Sequence, residues 1–333
     1  MTDTTSTPLR PIRPAWDAEL VPGLKTMESL FPVRGAPILE TTRQLMMTGG
    51  IPGAPAVDLT AGGLVTIEER EVPGPSGGPN ITLLVLRPTA ATAPLPGIYH
   101  VHGGGMISGD RKSGVRELLL PYVAEGKAVL VSPEYRLAPE HPDPAPVEDC
   151  YAGLVWTAQH PTEIGIDRGR LIIAGASAGG GLAAGTALLA RDRGFPTLTH
   201  QILICPMLDD RLETPSSQML DGEGVWDRND NLFGWTSLLG DRRGGPDVSP
   251  YAAPARAQDL GGLPRTYLDC GSVESFRDEV LDYATRLSQA GVNVDLHMWG
   301  GGFHGFDAMV PHAAVSRAAA AARDEFVRRA LET

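Results

Sequence analysis

The amino-acid sequence predicts an α/β fold: a mostly parallel sheet of eight strands with helices on both faces and a helical cap. Three observations carry this expectation. Eight short apolar runs are bounded by Gly and Pro, helical patterns separate the later runs, and the densest Gly clusters fall just after predicted strands. A strand that returns through a helix to a neighbouring strand makes a right-handed crossover, so repeated alternation implies a parallel sheet.

Taken in order, residues 1–50 precede any strand and carry apolar positions at helical spacing, Leu24, Met27, Leu30 and Phe31. Strands are expected at 65–72, 80–87 and 96–101. The first two or three have no helix between them and are expected to form an antiparallel edge. Further strands are expected at 127–131, 170–174 and 200–205. A long insert, 209–245, then interrupts the alternation and contains Trp226, Phe233 and Trp235. After the strand at 265–270, Val280, Tyr283, Ala284 and Leu287 fall at i, i+3, i+4 and i+7 of a helix over 276–290, which Gly291 stops. A last strand at 292–298 and an Ala- and Arg-rich helix at 313–331 complete the chain. Ligands of open α/β sheets bind beyond the carboxyl ends of the strands, where inserts can fold over them. Residues 1–50 and 209–245 are therefore expected to form the cap, and 51–208 with 246–333 the catalytic unit.

Composition excludes several classes. With 42% hydrophobic and 20% charged residues in 333, the chain has ample material for a core and none of the bias of a disordered protein. A net charge of −12 without a basic run argues against a nucleic-acid or anionic-membrane partner. The first residues lack a basic stretch followed by an apolar one, so no secretory signal is visible and a cytoplasmic location is expected. Leu171 to Ala190 is uncharged for 20 residues, long enough to mimic a membrane span, but its five glycines fit a buried strand turning into a small-residue helix better. Cys150, Cys205 and Cys270 are an odd number without zinc-ligand spacing and are expected to be buried reduced thiols. His100-x-His102 has no further ligand cluster to complete a metal site. Gly179 to Ala184 satisfies G-x-G-x-x-A but starts four residues beyond its strand, with no acid about 20 positions on, so neither a dinucleotide nor any other cofactor is expected.

The chemistry lies in three loops. Strand 170–174 runs into Gly175-Ala176-Ser177-Ala178-Gly179, a G-x-S-x-G turn that lifts a serine onto a strained corner at a helix N-terminus. There the Ala178 amide and the helix dipole can stabilise a developing oxyanion. Strand 96–101 ends in His102-Gly103-Gly104-Gly105, whose amides can supply further donors without a Cβ in the way. His304, between the last strand and the last helix, is the best general base, whereas His100, His102 and His297 read as structural. The chain order Ser, acid, His then asks for a carboxylate after the strand ending near Cys270. Glu274 lies directly after that strand and is preferred; Asp278, already in the helical pattern, is the alternative.

These loops, with Tyr135-Arg136-Leu137-Ala138-Pro139-Glu140-His141-Pro142 and His304-Gly305-Phe306, resemble the hormone-sensitive-lipase family of bacterial carboxylesterases over about residues 65–310. The resemblance implies an α/β-hydrolase fold, no metal, and hydrolysis of short to medium acyl esters. It also implies Ser177 as nucleophile, His304 as base, the amides of Gly103, Gly104 and Ala178 as oxyanion hole, and a homodimer. Three positions depart from the family pattern: Ala176 replaces an Asp, the acid Glu274 replaces an Asp, and Asp143 stands where an aromatic is frequent. Met106, Met207, Leu208, Trp226, Phe233, Phe303 and Phe306 are candidate lining of an apolar substrate pocket, with core packing expected for at least half. The expected function is a serine carboxylesterase acting on a small-molecule ester. Amidase, formamidase or lactone hydrolase chemistry on the same triad and a non-catalytic ligand-binding role are the alternatives.

Overall fold

The computed structural model of the chain describes residues 11–31, 34–47 and 58–333. Eight strands, β1 (Val65–Val72), β2 (Ile81–Pro88), β3 (Leu95–Val101), β4 (Val129–Glu134), β5 (Ile166–Ala176), β6 (His200–Ile204), β7 (Arg265–Gly271) and β8 (Val294–Trp299), form one sheet in the order β1-β2-β4-β3-β5-β6-β7-β8. β1 pairs antiparallel with β2, and β2 with β4; every other pairing is parallel. The antiparallel edge is thus the first two strands, where no helix separates consecutive strands.

The main helices are α1 (Val21–Leu30), α2 (Ile38–Met47), α3 (Ala145–Gln159), α4 (Ala178–Asp192), α5 (Arg228–Leu239), α6 (Arg277–Gln289) and α7 (Ala314–Glu332). Successive residues of a strand point to opposite faces, and both faces here are apolar. Leu83, Val85, Tyr99, Val101 and Ile173 pack beneath α3, α4 and α6. Their neighbours Leu84, Leu86, Ile98 and Ile172 pack with Phe326 and Val327 of α7 on the other side. Such strands read as near-continuous apolar runs, which is how they were legible.

Three strands start two residues or more from the expectation, β8 at Val294 rather than 292 and β5 and β4 as follows. β5 begins at Ile166 because Leu95 and Pro96 pair with Ile166 and Asp167, and an irregularity between Pro96 and Gly97 then resumes the register at Leu171. That irregularity absorbs the polar 168–170 stretch, which by composition reads as a turn. β4 begins at Val129 and runs on to Glu134. The uncharged 171–190 segment is the end of β5 and α4, whose residues Ala178 to Ala190 are all buried. Among the described residues no helix is long and apolar enough to cross a membrane.

The N-terminal segment and the 209–245 insert meet. Arg34 donates to Asp230 Oδ2 at 3.1 Å and to the carbonyls of Gly224 and Val225, and the Gly224 amide donates to Glu28 Oε1 at 2.8 Å. Arg43 of α2 reaches the loop after β3, donating to the Ile107 carbonyl at 2.8 Å and to both oxygens of Glu140. The expected boundary at residues 50 and 51 lies outside the described residues.

Candidate active site

Ser177 sits between β5 and α4 with φ 59°, ψ −126°, a left-handed conformation that L side chains avoid. The turn is held there by its own backbone: the Ser177 amide donates to Ile204 O at 2.8 Å, and its carbonyl accepts from Met207 and Gly181. Only glycine fits at Gly179, where a Cβ would stand 2.1 Å from Val101 O and 2.5 Å from His102 O. The strain is therefore imposed by β3 and β6 on either side, and it turns the hydroxyl out of the sheet.

The loop after β3 lies against this corner. A Cβ on Gly103 would come within 3.4 Å of Ser177 Cβ, so the Gly103 backbone and the serine are near neighbours. Gly104 has φ 117°, and its carbonyl accepts from Ile107 and Ser108, folding the loop back on itself. His102 fixes the loop's base. Its ring stacks on Tyr135 at 4.1 Å, its Nδ1 donates to Gly103 O at 2.8 Å, and Tyr135 Oη donates to the His102 carbonyl. Burial pushes His102 and His100 down to about 4, and their ring hydrogen bonds go to the carbonyls of Gly103 and Ser113, not to Ser177. Ala178 opens α4, where first-turn amides have no acceptor within the helix and the dipole is positive.

His304 Nε2 is 2.9 Å from Ser177 Oγ, and its Nδ1 is 3.0 Å from Glu274 Oε1. The carboxylate is buried and accepts from the Gly271 amide at 3.1 Å through its second oxygen. Asp278 is elsewhere: it accepts from the Ser216 amide at 2.7 Å and from Arg277 Nε, and these bonds outweigh partial burial and keep its carboxyl low. Glu279 accepts from the Leu208 and Asp209 amides, and burial pushes its carboxyl well up. Of the three carboxylates in this stretch, only Glu274 meets the histidine.

The candidate lining residues divide. Trp226 lies over the glycine loop after β3, its ring edge 2.4 Å from where a Gly105 Cβ would be, and Phe233 is half-buried against the main core. Met106 and Met207 are fully buried in that core, close to Gly181 at the start of α4. Phe303 is packed away with Phe306, Leu20, Leu24 and Val310. Asp143 pairs with Arg242 beyond α5 at 3.0 Å. Two supports had no visible signal in the sequence. Phe276 sets the edge of its ring against His304 at 5.2 Å, and Ser275 Oγ donates to the Trp226 carbonyl, joining the acid loop to the insert. Among the described residues, Cys205, Glu274 and His304 place donor atoms within 4.8 Å of one another. There the Glu–His hydrogen bond engages two of the three, and burial beside Glu274 keeps the thiol protonated, so the group handles protons better than a metal ion.

A family model described as alpha/beta hydrolase fold matches residues 98–308, a span containing both glycine loops, Ser177, Glu274 and His304. This chain belongs to the hormone-sensitive-lipase-like α/β-hydrolases. Relatives of this α/β-hydrolase include carboxylesterase NlhH of Mycobacterium tuberculosis, 36% identical over 261 residues that cover 74% of this chain and 78% of the relative. Esterase LipI of the same organism is 34% identical over 238 residues, 69% of this chain and 72% of its own. Among solved structures, a bacterial heroin esterase superposes with a TM-score of 0.83 at 37% identity, covering 96% of this chain and 99% of its own. A thermostable esterase from Pseudomonas putida does so at 0.79 and 30% identity, over 94% and 96%.

Proposed function

We propose that this carboxylic ester hydrolase acts as a serine carboxylesterase on short to medium acyl esters through an acyl-enzyme. One observation carries the reading: a continuous hydrogen-bonded line from Ser177 Oγ through His304 to Glu274. Ser177 Oγ attacks the ester carbonyl while His304 Nε2 takes its proton. Glu274 holds the other ring nitrogen protonated and stabilises the imidazolium. The tetrahedral oxyanion accepts hydrogen bonds from the amides of Gly103, Gly104 and Ala178, and each such donor is worth about 2.7–4 kcal/mol in related chemistry. His304 then protonates the leaving alkoxide, and the acyl group remains on Ser177. Water, deprotonated by His304, repeats the cycle and releases the acid.

The two segments outside the alternating fold form the cap in this reading. Trp226 against Gly105, and Arg43 bonded to Ile107, support it by tying both segments to the oxyanion loop. Replacing Ser177 with Ala is expected to lower kcat on p-nitrophenyl butyrate by on the order of 10⁴–10⁶. Wild-type turnover in that variant would sink the mechanism.

A further inference from the structure

Arg323 points from α7 into the floor beneath the loop that carries His304. Its side chain is 10% exposed; Nη2 donates to Asp307 Oδ2 at 2.6 Å, and Nη1 stands 3.7 Å from Asp269 Oδ2. The two carboxylates come from different elements. Asp307 is three residues after His304, in the single turn Phe306–Met309, and Asp269 is in β7, five residues before Glu274. Tyr267 Oη donates to Asp269 Oδ2 at 2.8 Å and completes the group. A guanidinium is costly to bury, and one placed between two carboxylates on separate elements fixes their relative position more sharply than apolar contact can.

The pair acts on the half of the loop that lies beyond His304. Its first half is held by directional bonds, the Gly301 amide on Ser272 Oγ at 2.8 Å and the Gly302 carbonyl accepting from the Val273 amide at 3.0 Å, whereas Gly305, with φ 72°, follows His304 directly. Beyond those bonds, the half of the loop from Phe303 onward rests on the cluster of Phe303, Phe306 and Val310 against Leu20, Leu24 and Ala319, which is non-directional. Burial outweighs the attraction of Arg323 and raises Asp269 to about 6, which leaves Asp307 as the firm partner of the pair. We propose that Arg323 is a positioning residue that clamps the His304 loop to the strand leading to Glu274, keeping base and acid in hydrogen-bond register. The inference rests on the Ser177–His304–Glu274 reading.

The test is a double-mutant cycle on kcat and KM. In the wild-type background, Arg323→Met and Asp307→Asn should each lower kcat by about 10- to 100-fold with KM within about twofold, because a base displaced by a fraction of an ångström loses rate and not binding. Arg323→Lys should recover part of the loss. In a His304→Ala background, Arg323→Met should cost nothing further, since there is no base left to position. Two results overturn the clamp: unchanged kcat in folded Arg323→Met and Asp307→Asn, or the same fold-loss persisting without His304. Wild-type turnover in His304→Ala alone would instead overturn the triad reading and the clamp together. If Arg323→Met does not fold, Asp307→Asn breaks the same pair from the loop side and decides the question.

Discussion

The elbow at the carboxyl edge of the sheet and the segments tied across it are held by opposite means. Around Ser177 the backbone of α4, of β3 and of the loop after β6 comes so close that an added Cβ at Gly175, Gly179 or Gly181 would lie 2.0–2.2 Å from a carbonyl oxygen. Between the N-terminal segment and the insert, the ties run through side chains: Arg34 on Asp230, Arg13 on Glu223, Glu28 on the Gly224 amide. α1 buries only Leu24 among its ten residues. The first region permits one conformation. The second is anchored at a few polar points, an arrangement suited to a part that meets varied substrates, and the difference separates the expected effects of substitution.

The largest effect should come from Gly179→Ala. Its methyl would meet Val101 O and His102 O, both rigid backbone, so we expect a loss of about 3 kcal/mol in stability and no measurable esterase activity, checked by urea unfolding and p-nitrophenyl ester turnover. A stable, active variant would mean that the elbow is softer than its contacts imply. Next is Arg34→Met, which strips the cation from buried Asp230 and two carbonyls. Here KM should rise about 3- to 10-fold with kcat within about twofold, since the chemistry is remote from the latch; a fall in kcat alone would mean that the segments help to hold the triad.

Asp269→Asn probes the region beneath Glu274 and His304 through pH. The Asp269 carboxyl is raised to about 6 by burial, above its unfolded value, so between roughly pH 4 and 6 the folded state holds more protons than the unfolded one. Stability from this group is therefore present at low pH and is lost as pH rises through about 6. Relative to the wild type, the Asn variant should gain in Tm from pH 4 to pH 7. The opposite drift would show that Asp269 is charged and stabilising throughout. The smallest effect should be Arg328→Ala, which removes ion pairs to Glu125 and Asp324 on the solvent face of α7. Exposed pairs contribute little to stability, so Tm should move by no more than a few degrees and less at high salt.

How much of this was legible in the sequence follows from the same contrast. The strands were visible because both faces of the sheet are covered, and the three loops because glycine clusters there: eleven of the 40 glycines lie at 103–105, 175 with 179–181, and 300–302 with 305, and close backbone approach demands it at 103, 104, 175, 179, 181 and 301. The preference for Glu274 over Asp278 came from its place directly after β7. What stayed hidden depends on which way a side chain points. Arg323 stands in an Ala- and Arg-rich helix where several arginines look alike, and only the packing of α7 turns this one inward. Phe303 and Trp226 are both aromatic residues near chemistry. One is buried behind the His304 loop and the other lies over the glycine loop after β3, a distinction that neither composition nor spacing records. The start of β5 was missed because a register irregularity opposite Pro96 hides polar residues inside a strand.

The account turns on which carboxylate serves the base, and one comparison tests it most directly: kcat/KM of Glu274→Gln beside Asp278→Asn, each as folded protein at neutral pH. Glu274 faces His304 Nδ1 at 3.0 Å, whereas Asp278 is spent on Ser216 and Arg277. Glu274→Gln should lose on the order of 10⁴ in rate, as expected when the histidine is held in the wrong tautomer, while Asp278→Asn should stay within about tenfold of the wild type. Near-normal rates in Glu274→Gln with a collapse in Asp278→Asn would contradict the account.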